Sequence, residues 1–132
     1  LPICPFPGVT AALDRLDALN VRTAVVTNKA EHLARVLLGE FGLAGRMATI
    51  IGGDTLGVRK PSPEPIHAMV ERCGGARAAF VGDSIYDVMA AKNAGVPSVA
   101  VSFGFLDRPA AEFGADHVID HYDELVPLLA TL

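Results

Sequence analysis

Apolar residues follow two alternating patterns along the chain of 132 residues. Apolar positions three and four residues apart predict helices over 9–19, 30–41, 63–73, 84–94 and 123–129. Short, almost continuously apolar segments predict buried strands over 22–27, 48–51, 78–81, 98–101 and 117–119. Strands that alternate with helices through short connections form right-handed βαβ units. The pattern therefore predicts an α/β fold, a three-layer sandwich around a parallel sheet.

Composition and charge narrow the class of protein. The length fits a single domain, and the net charge is −4 with no cluster of Lys and Arg larger than Arg59-Lys60. We therefore expect no nucleic-acid partner, because such binding depends on many contacts to phosphates. The apolar runs are strand-sized, so we also expect no membrane span. Cys4 and Cys73 form neither a zinc motif nor a disulfide framework, which makes the reducing cytoplasm the expected location. The oligomeric state stays open.

Polar residues after the first predicted strand suggest an anion site. In parallel α/β sheets, ligands bind outside the carboxyl ends of the strands. Thr27, Asn28 and Lys29 occupy that position here. A hydroxyl, an amide and the free N–H groups of a helix N-terminus together attract anions. The alternative is that Thr27 or Asn28 only caps the helix over 30–41.

A lysine stands between the second predicted strand and the next helix. Lys60 directly precedes Pro61, and proline holds the residue before it in an extended conformation. Lys60 is thus kept outside the helix, with its ammonium free to reach inward. The alternative is an ordinary solvated lysine.

Two aspartates follow the third predicted strand. Asp83 lies at the strand end after Gly82, and Asp87 comes one helical turn later on the same face. Mg²⁺ commonly binds one or two carboxylates together with water and substrate phosphate. This spacing predicts a magnesium site. The alternative is an aspartate that caps the helix.

In this order, the three segments resemble the second, third and fourth motifs of the haloacid dehalogenase superfamily. Thr27 lies in V-V-T-N-K, Lys60 in R-K-P, and Asp83 and Asp87 in F-V-G-D-S-I-Y-D-V. Within the superfamily, the resemblance is closest to the phosphoglycolate phosphatase group. The segments that carry it are I-G-G-D-T-L-G-V-R-K-P-S-P-E-P and the tail G-A-D-H-V-I-D-H-Y-D-E-L. It extends from Pro5 to the end of the chain.

The resemblance implies a Rossmann-like core and a phosphatase activity that depends on Mg²⁺. Thr27, the Asn28 amide and Lys60 would hold the phosphoryl oxygens of a small phosphorylated substrate such as 2-phosphoglycolate. Asp83 would bind Mg²⁺, and Asp87 would be a ligand or a neighbour of the ligands. The reaction would proceed by in-line transfer to an aspartate, followed by hydrolysis of the aspartyl-phosphate.

The family's first motif, D-x-D-G-T-L, which supplies the nucleophile and the acid/base aspartate, does not occur in this sequence. Asp54-Thr55-Leu56 echoes it only superficially, and we interpret that segment as a loop. We expect residues 1–132 to form one core domain that lacks its first, central strand and its helical cap. Both would lie upstream of Leu1, with Pro5–Gly8 as the return from the cap. The missing strand would leave a slot of about 10 Å between the strands that end near Thr27 and Gly82.

Three functions therefore compete at this point. The first is a phosphatase of phosphoglycolate type that is active only as part of a longer chain. The second is a phosphatase of the same superfamily with another small substrate, and the third is a non-catalytic module that binds phosphate and metal. A dinucleotide-binding domain is disfavoured, because no G-x-G-x-x-G follows a strand. Residues 1–132 alone are expected to be inactive.

Overall fold

The structure is a computed structural model that describes residues 8–104 and 109–132. Its helices are α1 (Val9–Ala18), α2 (Glu31–Glu40), α3 (Glu64–Arg72), α4 (Ile85–Ala94) and α5 (Leu125–Leu129). Its strands are β1 (Val25–Val26), β2 (Ile50–Ile51), β3 (Phe80–Gly82), β4 (Ser98–Val101) and β5 (His117–Ile119). Short 3-10 turns occupy Ala44–Arg46, Ala110–Phe113 and Tyr122–Glu124. Residues 5–7 of the expected return from a cap lie outside the described residues.

Each predicted helix and strand is present, and the α/β class is confirmed, but several boundaries differ. Strands β1 and β2 are shorter than predicted, and in the described residues they are hydrogen-bonded only to each other. Their parallel pairing still extends from Thr23, whose carbonyl accepts the N–H of Ala48, to Thr27. Helix α3 begins one residue later than predicted, with the Ser62 hydroxyl accepting the N–H of Glu64 at 3.3 Å. The last helix is preceded by a separate 3-10 turn.

The strands form two parallel sheets rather than one continuous sheet. β1 pairs with β2, and β3, β4 and β5 pair in that order. The N–H of Val25 bonds to β2, so the N–H and C=O of Val26 point away from β2. By the same alternation, the peptide groups of Val81 point away from β4. The division thus lies between β1 and β3, where the resemblance places a further strand.

A shared apolar core joins the two sheets. It consists of Val26, Ile51, Ile66, Met69, Phe80, Ala90 and Ala91, which come from β1, β2, α3, β3 and α4. On β4, Ala100 packs with Val88 of α4, whereas Val99 and Val101 pack with Leu125 of α5. Alternate residues of this strand therefore contact helices on opposite faces, which gives the three layers. No helix in the described part of the chain is long and apolar enough to cross a membrane.

Ile66 allows a test of this core, because its side chain is fully buried at 0% exposure. Replacing it with alanine should lower the free energy of unfolding by about 2–5 kcal/mol, since the cavity left behind adds to the lost transfer energy. Leu33 on α2 is 56% exposed and provides the control. Leu33→Ala should change stability by no more than about 0.5 kcal/mol in urea denaturation. Equal losses for the two variants would contradict the core assignment.

Candidate functional site

A cavity of about 250 Å³ lies between the open edges of the two sheets, at the carboxyl ends of the strands. It is lined by Val26, Lys60, Val81, Gly82, Asp83, Asp87, Val101 and Tyr122. A larger cavity of about 680 Å³ is lined by residues that precede β1 and β2, including Arg22 and Met47. Because ligands of parallel α/β sheets bind at the carboxyl ends, the smaller cavity is the candidate site.

Lys60 reaches inward and is not a solvated surface lysine. Its side chain is 10% exposed, and its ammonium forms an ion pair with the Asp87 carboxylate. The ammonium also donates to the carbonyl of Val26 at 3.0 Å and lies 5.2 Å from the centre of the Phe80 ring. The Val26 carbonyl is one of the groups that β1 leaves unpaired at its open edge. A single ammonium therefore contacts β1, β3 and α4.

Asp87 is held by its own helix terminus as well as by Lys60. One carboxylate oxygen accepts hydrogen bonds from the N–H groups of Asp83 and Ser84 and from the Ser84 hydroxyl, each at 3.1 Å. The Ser84 hydroxyl in turn accepts the N–H of Asp87, which completes a capping box at the start of α4. The other oxygen pairs with Lys60. Asp87 thus matches the helix-capping alternative and is also the counter-ion of the lysine.

Two glycines make room for the two carboxylates. A Cβ on Gly82 would lie 2.3 Å from an oxygen of Asp87, and a Cβ on Gly104 would lie 2.6 Å from an oxygen of Asp83. Any side chain at either position would displace a carboxylate. The backbone at the end of β3 and after β4 therefore leaves no room for a side chain next to either aspartate.

Asn28 and Thr27 border the cavity but do not line it. The Asn28 side chain donates to the carbonyl of Lys60 at 3.1 Å and accepts the N–H of Lys60 at 3.0 Å. These two hydrogen bonds hold the backbone of Lys60 in place. The Lys60-Pro61 peptide bond that follows is cis. The Thr27 hydroxyl oxygen accepts the N–H of Lys29 at 3.1 Å. Neither residue caps α2.

The start of α2 is less open to an anion than expected. The N–H of Glu31 donates to the Asp54 carboxylate at 2.8 Å, so the first N–H of the helix is already bonded to a carboxylate of the chain. Ala30 at the N-cap position has no side-chain acceptor to offer, which explains why the cap comes from a distant loop.

The cavity offers few protein ligands for a metal ion. Among the described residues, no group of three or more His, Cys, Asp or Glu side chains is placed to hold a metal. Both oxygens of Asp87 are engaged, which leaves the Asp83 carboxylate as the donor in this cavity. Mg²⁺ requires only one or two carboxylates, since water and phosphate oxygens complete its shell. Asp83 is therefore compatible with a hydrated magnesium ion.

Tyr122 lines the cavity and was not found from the sequence. It follows the carboxyl end of β5, and its ring packs edge-on against Phe103 with centroids 5.0 Å apart. Burial, and secondarily the charge of Asp83, raise the pKa of Tyr122 above its ordinary value. Its hydroxyl is therefore a neutral hydrogen-bond donor at physiological pH. Applying the strand-end rule to the last strand, as to the others, would have identified it.

Known proteins are similar in sequence to this chain over nearly its whole length. The model of the family described as haloacid dehalogenase-like hydrolase matches residues 2–101. Phosphoglycolate phosphatase of Agrobacterium fabrum is 45% identical over 127 residues, an alignment that covers 95% of this chain and 54% of that protein. For phosphoglycolate phosphatase of Rhodospirillum rubrum, the identity is 44% over 122 residues, with 91% and 51% covered. The chain spans about half the length of the curated relatives it matches.

Solved structures share the fold. A crystal structure described as that of a predicted phosphoglycolate phosphatase from Haemophilus somnus superposes with a TM-score of 0.88 at 30% identity, covering 94% of this chain and 56% of that one. A haloacid dehalogenase-superfamily hydrolase from Geobacter sulfurreducens gives 0.78 at 31% identity, covering 93% and 55%. Family motifs, relatives and fold agree, and the chain belongs to the haloacid dehalogenase-like hydrolase family.

Proposed function

We propose that this chain is the main part of the core domain of a Mg²⁺-dependent phosphate monoester hydrolase of the phosphoglycolate phosphatase type. The observation that carries the proposal is the placement of Lys60 and Asp83 on one cavity at the carboxyl edge of the sheets. A cation and a carboxylate at that edge suit a phosphate ester and its metal ion. Relatives named phosphoglycolate phosphatase support the same substrate class.

Lys60 is the residue best suited to bind the phosphoryl group. An ammonium has three N–H donors, and two of them are directed to Val26 and Asp87. The third is available to a phosphoryl oxygen in the cavity. In this proposal the Thr27 hydroxyl and the Asn28 amide would hold further phosphoryl oxygens, and Asn28 is tied to the same segment by its two bonds to the Lys60 backbone. Low exposure at Lys60 strengthens its interaction with the charge of the transferred group.

Asp83 would hold Mg²⁺, which when bound neutralises charge on the phosphoryl oxygens. Asp87 acts on Lys60 and on the start of α4, because both its oxygens are engaged there. We place it beside the metal rather than among its ligands. Tyr122 adds a neutral hydroxyl donor to the lining of the cavity.

The covalent step needs an aspartate that we assign to a D-x-D segment outside this chain. That segment would follow a strand paired between β1 and β3, where the peptide groups of Val26 and Val81 point away from β2 and β4 and have no strand partner in the described residues. The first aspartate would attack the phosphorus in line while the second gives its proton to the leaving ester oxygen. Water, losing a proton to the second aspartate, would then cleave the aspartyl-phosphate to phosphate and the free carboxylate. Residues 1–132 are in this proposal one core domain, completed by that strand.

The substrate proposed is 2-phosphoglycolate or a similar small phosphate ester, in the cytoplasm, without nucleic-acid or membrane partners. Two alternatives give different results in the experiments below. A superfamily phosphatase with another substrate would turn over other esters by the same residues. A non-catalytic module would bind phosphate and metal but would not turn over even when the upstream segment is present.

Lys60 and Asp83 should each be essential for turnover in the full-length protein. We expect Lys60→Ala and Asp83→Asn to reduce kcat/KM for 2-phosphoglycolate by about 100-fold or more, because each removes charge that stabilises the transferring group. Asp83→Asn should also raise the Mg²⁺ concentration needed for half-maximal rate. The controls are Lys92→Ala and Asp14→Asn, which change exposed charges away from the cavity. Near-normal turnover of either site variant at saturating Mg²⁺ would contradict the proposed roles.

Residues 1–132 expressed alone should release no phosphate above background. Lys60 and Asp83 can position an ester and a metal ion, but neither forms the covalent intermediate. The measurement is malachite-green detection of phosphate from 2-phosphoglycolate with Mg²⁺, beside the Lys60→Ala variant of the same chain. Turnover on the order of 1 s⁻¹ that disappears in the variant would mean that the nucleophile lies within these residues.

A further inference from the structure

The segment Gly52-Gly53-Asp54-Thr55 has no part in the chemistry proposed so far, yet it makes long-range contacts beside the site. This 52–55 loop follows β2 and packs against the 27–31 turn, which connects β1 to α2 and contains Thr27 and Asn28. The hydrogen bonds between them join residues that are 23 or 24 positions apart in sequence. The contacts between them involve both backbone and side chains.

Three hydrogen bonds join these two segments, and a fourth forms within the 52–55 loop. The Asp54 carboxylate accepts the N–H of Glu31 at 2.8 Å, and the N–H of Gly53 donates to the carbonyl of Lys29 at 2.8 Å. The Thr55 hydroxyl donates to the Glu31 carboxylate at 2.7 Å and accepts the N–H of Gly52 at 2.8 Å. The Arg35 side chain and, after it, the Thr55 hydroxyl lower the pKa of Glu31, so Glu31 remains an acceptor at neutral pH.

The loop also approaches the turn too closely for any side chain at its two glycines. A Cβ on Gly52 would lie 2.3 Å from the backbone nitrogen of Glu31, and a Cβ on Gly53 would lie 2.2 Å from the carbonyl oxygen of Asn28. Both glycines are buried. The loop and the turn are therefore packed backbone against backbone, with no space for a side chain at either glycine.

Lys60 holds the other side of the same turn. It belongs to the same β2–α3 connection as the loop, and its backbone N–H and C=O are both bonded to the Asn28 side chain. The start of the connection at 52–55 and its end at Lys60 therefore enclose the 27–31 turn between them. A displacement of the turn would move Asn28, and with it the backbone from which the Lys60 ammonium extends into the cavity.

We infer that Asp54 is a positioning residue, which fixes Lys60 in the site by holding the 27–31 turn against it. Ala30 provides no cap of its own, so the Asp54 carboxylate is the side-chain acceptor that closes the start of α2. The kinetic consequence rests on the phosphatase function proposed above. The structural consequence, a fixed Lys60 backbone, does not.

The test compares Asp54→Ala with Asp54→Asn in the full-length protein, at a temperature where all variants are folded. Alanine removes the acceptor, whereas asparagine retains an oxygen at the same position and is an equally good cap. We expect kcat/KM for 2-phosphoglycolate to fall about tenfold in Asp54→Ala and to stay within about twofold of wild type in Asp54→Asn. Glu40→Ala is the matched control, because it removes an exposed carboxylate from the C-terminal end of the same helix, away from the loop.

Amide hydrogen exchange gives a readout that does not need activity. The N–H of Lys60 bonds to Asn28 and not to Asp54, so a purely local cap would leave its exchange unchanged. We expect the N–H groups of both Glu31 and Lys60 to exchange about tenfold faster in Asp54→Ala and at the wild-type rate in Asp54→Asn.

The outcomes separate the two proposals. Wild-type kcat/KM and unchanged exchange at Lys60 in Asp54→Ala would overturn the inference, as would an Asp54→Asn variant as impaired as Asp54→Ala. A full-length wild-type protein without phosphatase activity would instead overturn the proposed function. In that case the exchange rate at Lys60 alone decides whether Asp54 is a positioning residue.

Discussion

The ion pair between Lys60 and Asp87 is the contact on which the site depends. Both side chains are about nine-tenths buried, and burying two charges is costly unless each stays paired and hydrogen-bonded. Here the requirement is met, because Lys60 also binds the Val26 carbonyl and Asp87 also accepts from the start of α4. In the described residues β1 and β3 share no ladder hydrogen bonds, so this pair and the apolar core hold the two sheets together.

The same pair explains how structure and chemistry share residues at this edge. Asp87 caps α4 and orients the ammonium, and this leaves Asp83 as the carboxylate available to a metal ion. Asn28 is bonded to the backbone of Lys60, and Asp54 holds the turn that carries Asn28. The lysine is thus fixed at its ammonium and at its backbone by different elements. Such fixation suits a group that must meet a phosphoryl oxygen without reorganising.

Much of this arrangement follows from the sequence, because it rests on local periodicity and on chain order. Helical spacing predicted α1 to α5, and buried apolar runs predicted the five strands, as in the Ser98–Val101 strand. The rule that ligands bind at the carboxyl ends of parallel strands predicted one site for Lys60, Asp83 and Asp87, and all three line the same cavity. The partners within the site could not be predicted in this way. The bonds of Asp54 to α2 and of Asn28 to Lys60 join segments far apart in sequence. The spacing of Asp87 suited either a helix cap or a metal ligand, and the side-chain rotamer that favours the cap is a property of the folded structure.

A double-mutant cycle on Lys60 and Asp87 tests the central claim most directly. The variants Lys60→Met, Asp87→Asn and the double variant of the full-length protein are compared with wild type in urea denaturation. Each single change should lower the free energy of unfolding by about 3–5 kcal/mol, because it leaves the other charge buried and unpaired. The double change should cost about as much as one single change, which gives a coupling energy well above about 0.5 kcal/mol. Losses that add up in the double variant would contradict the account.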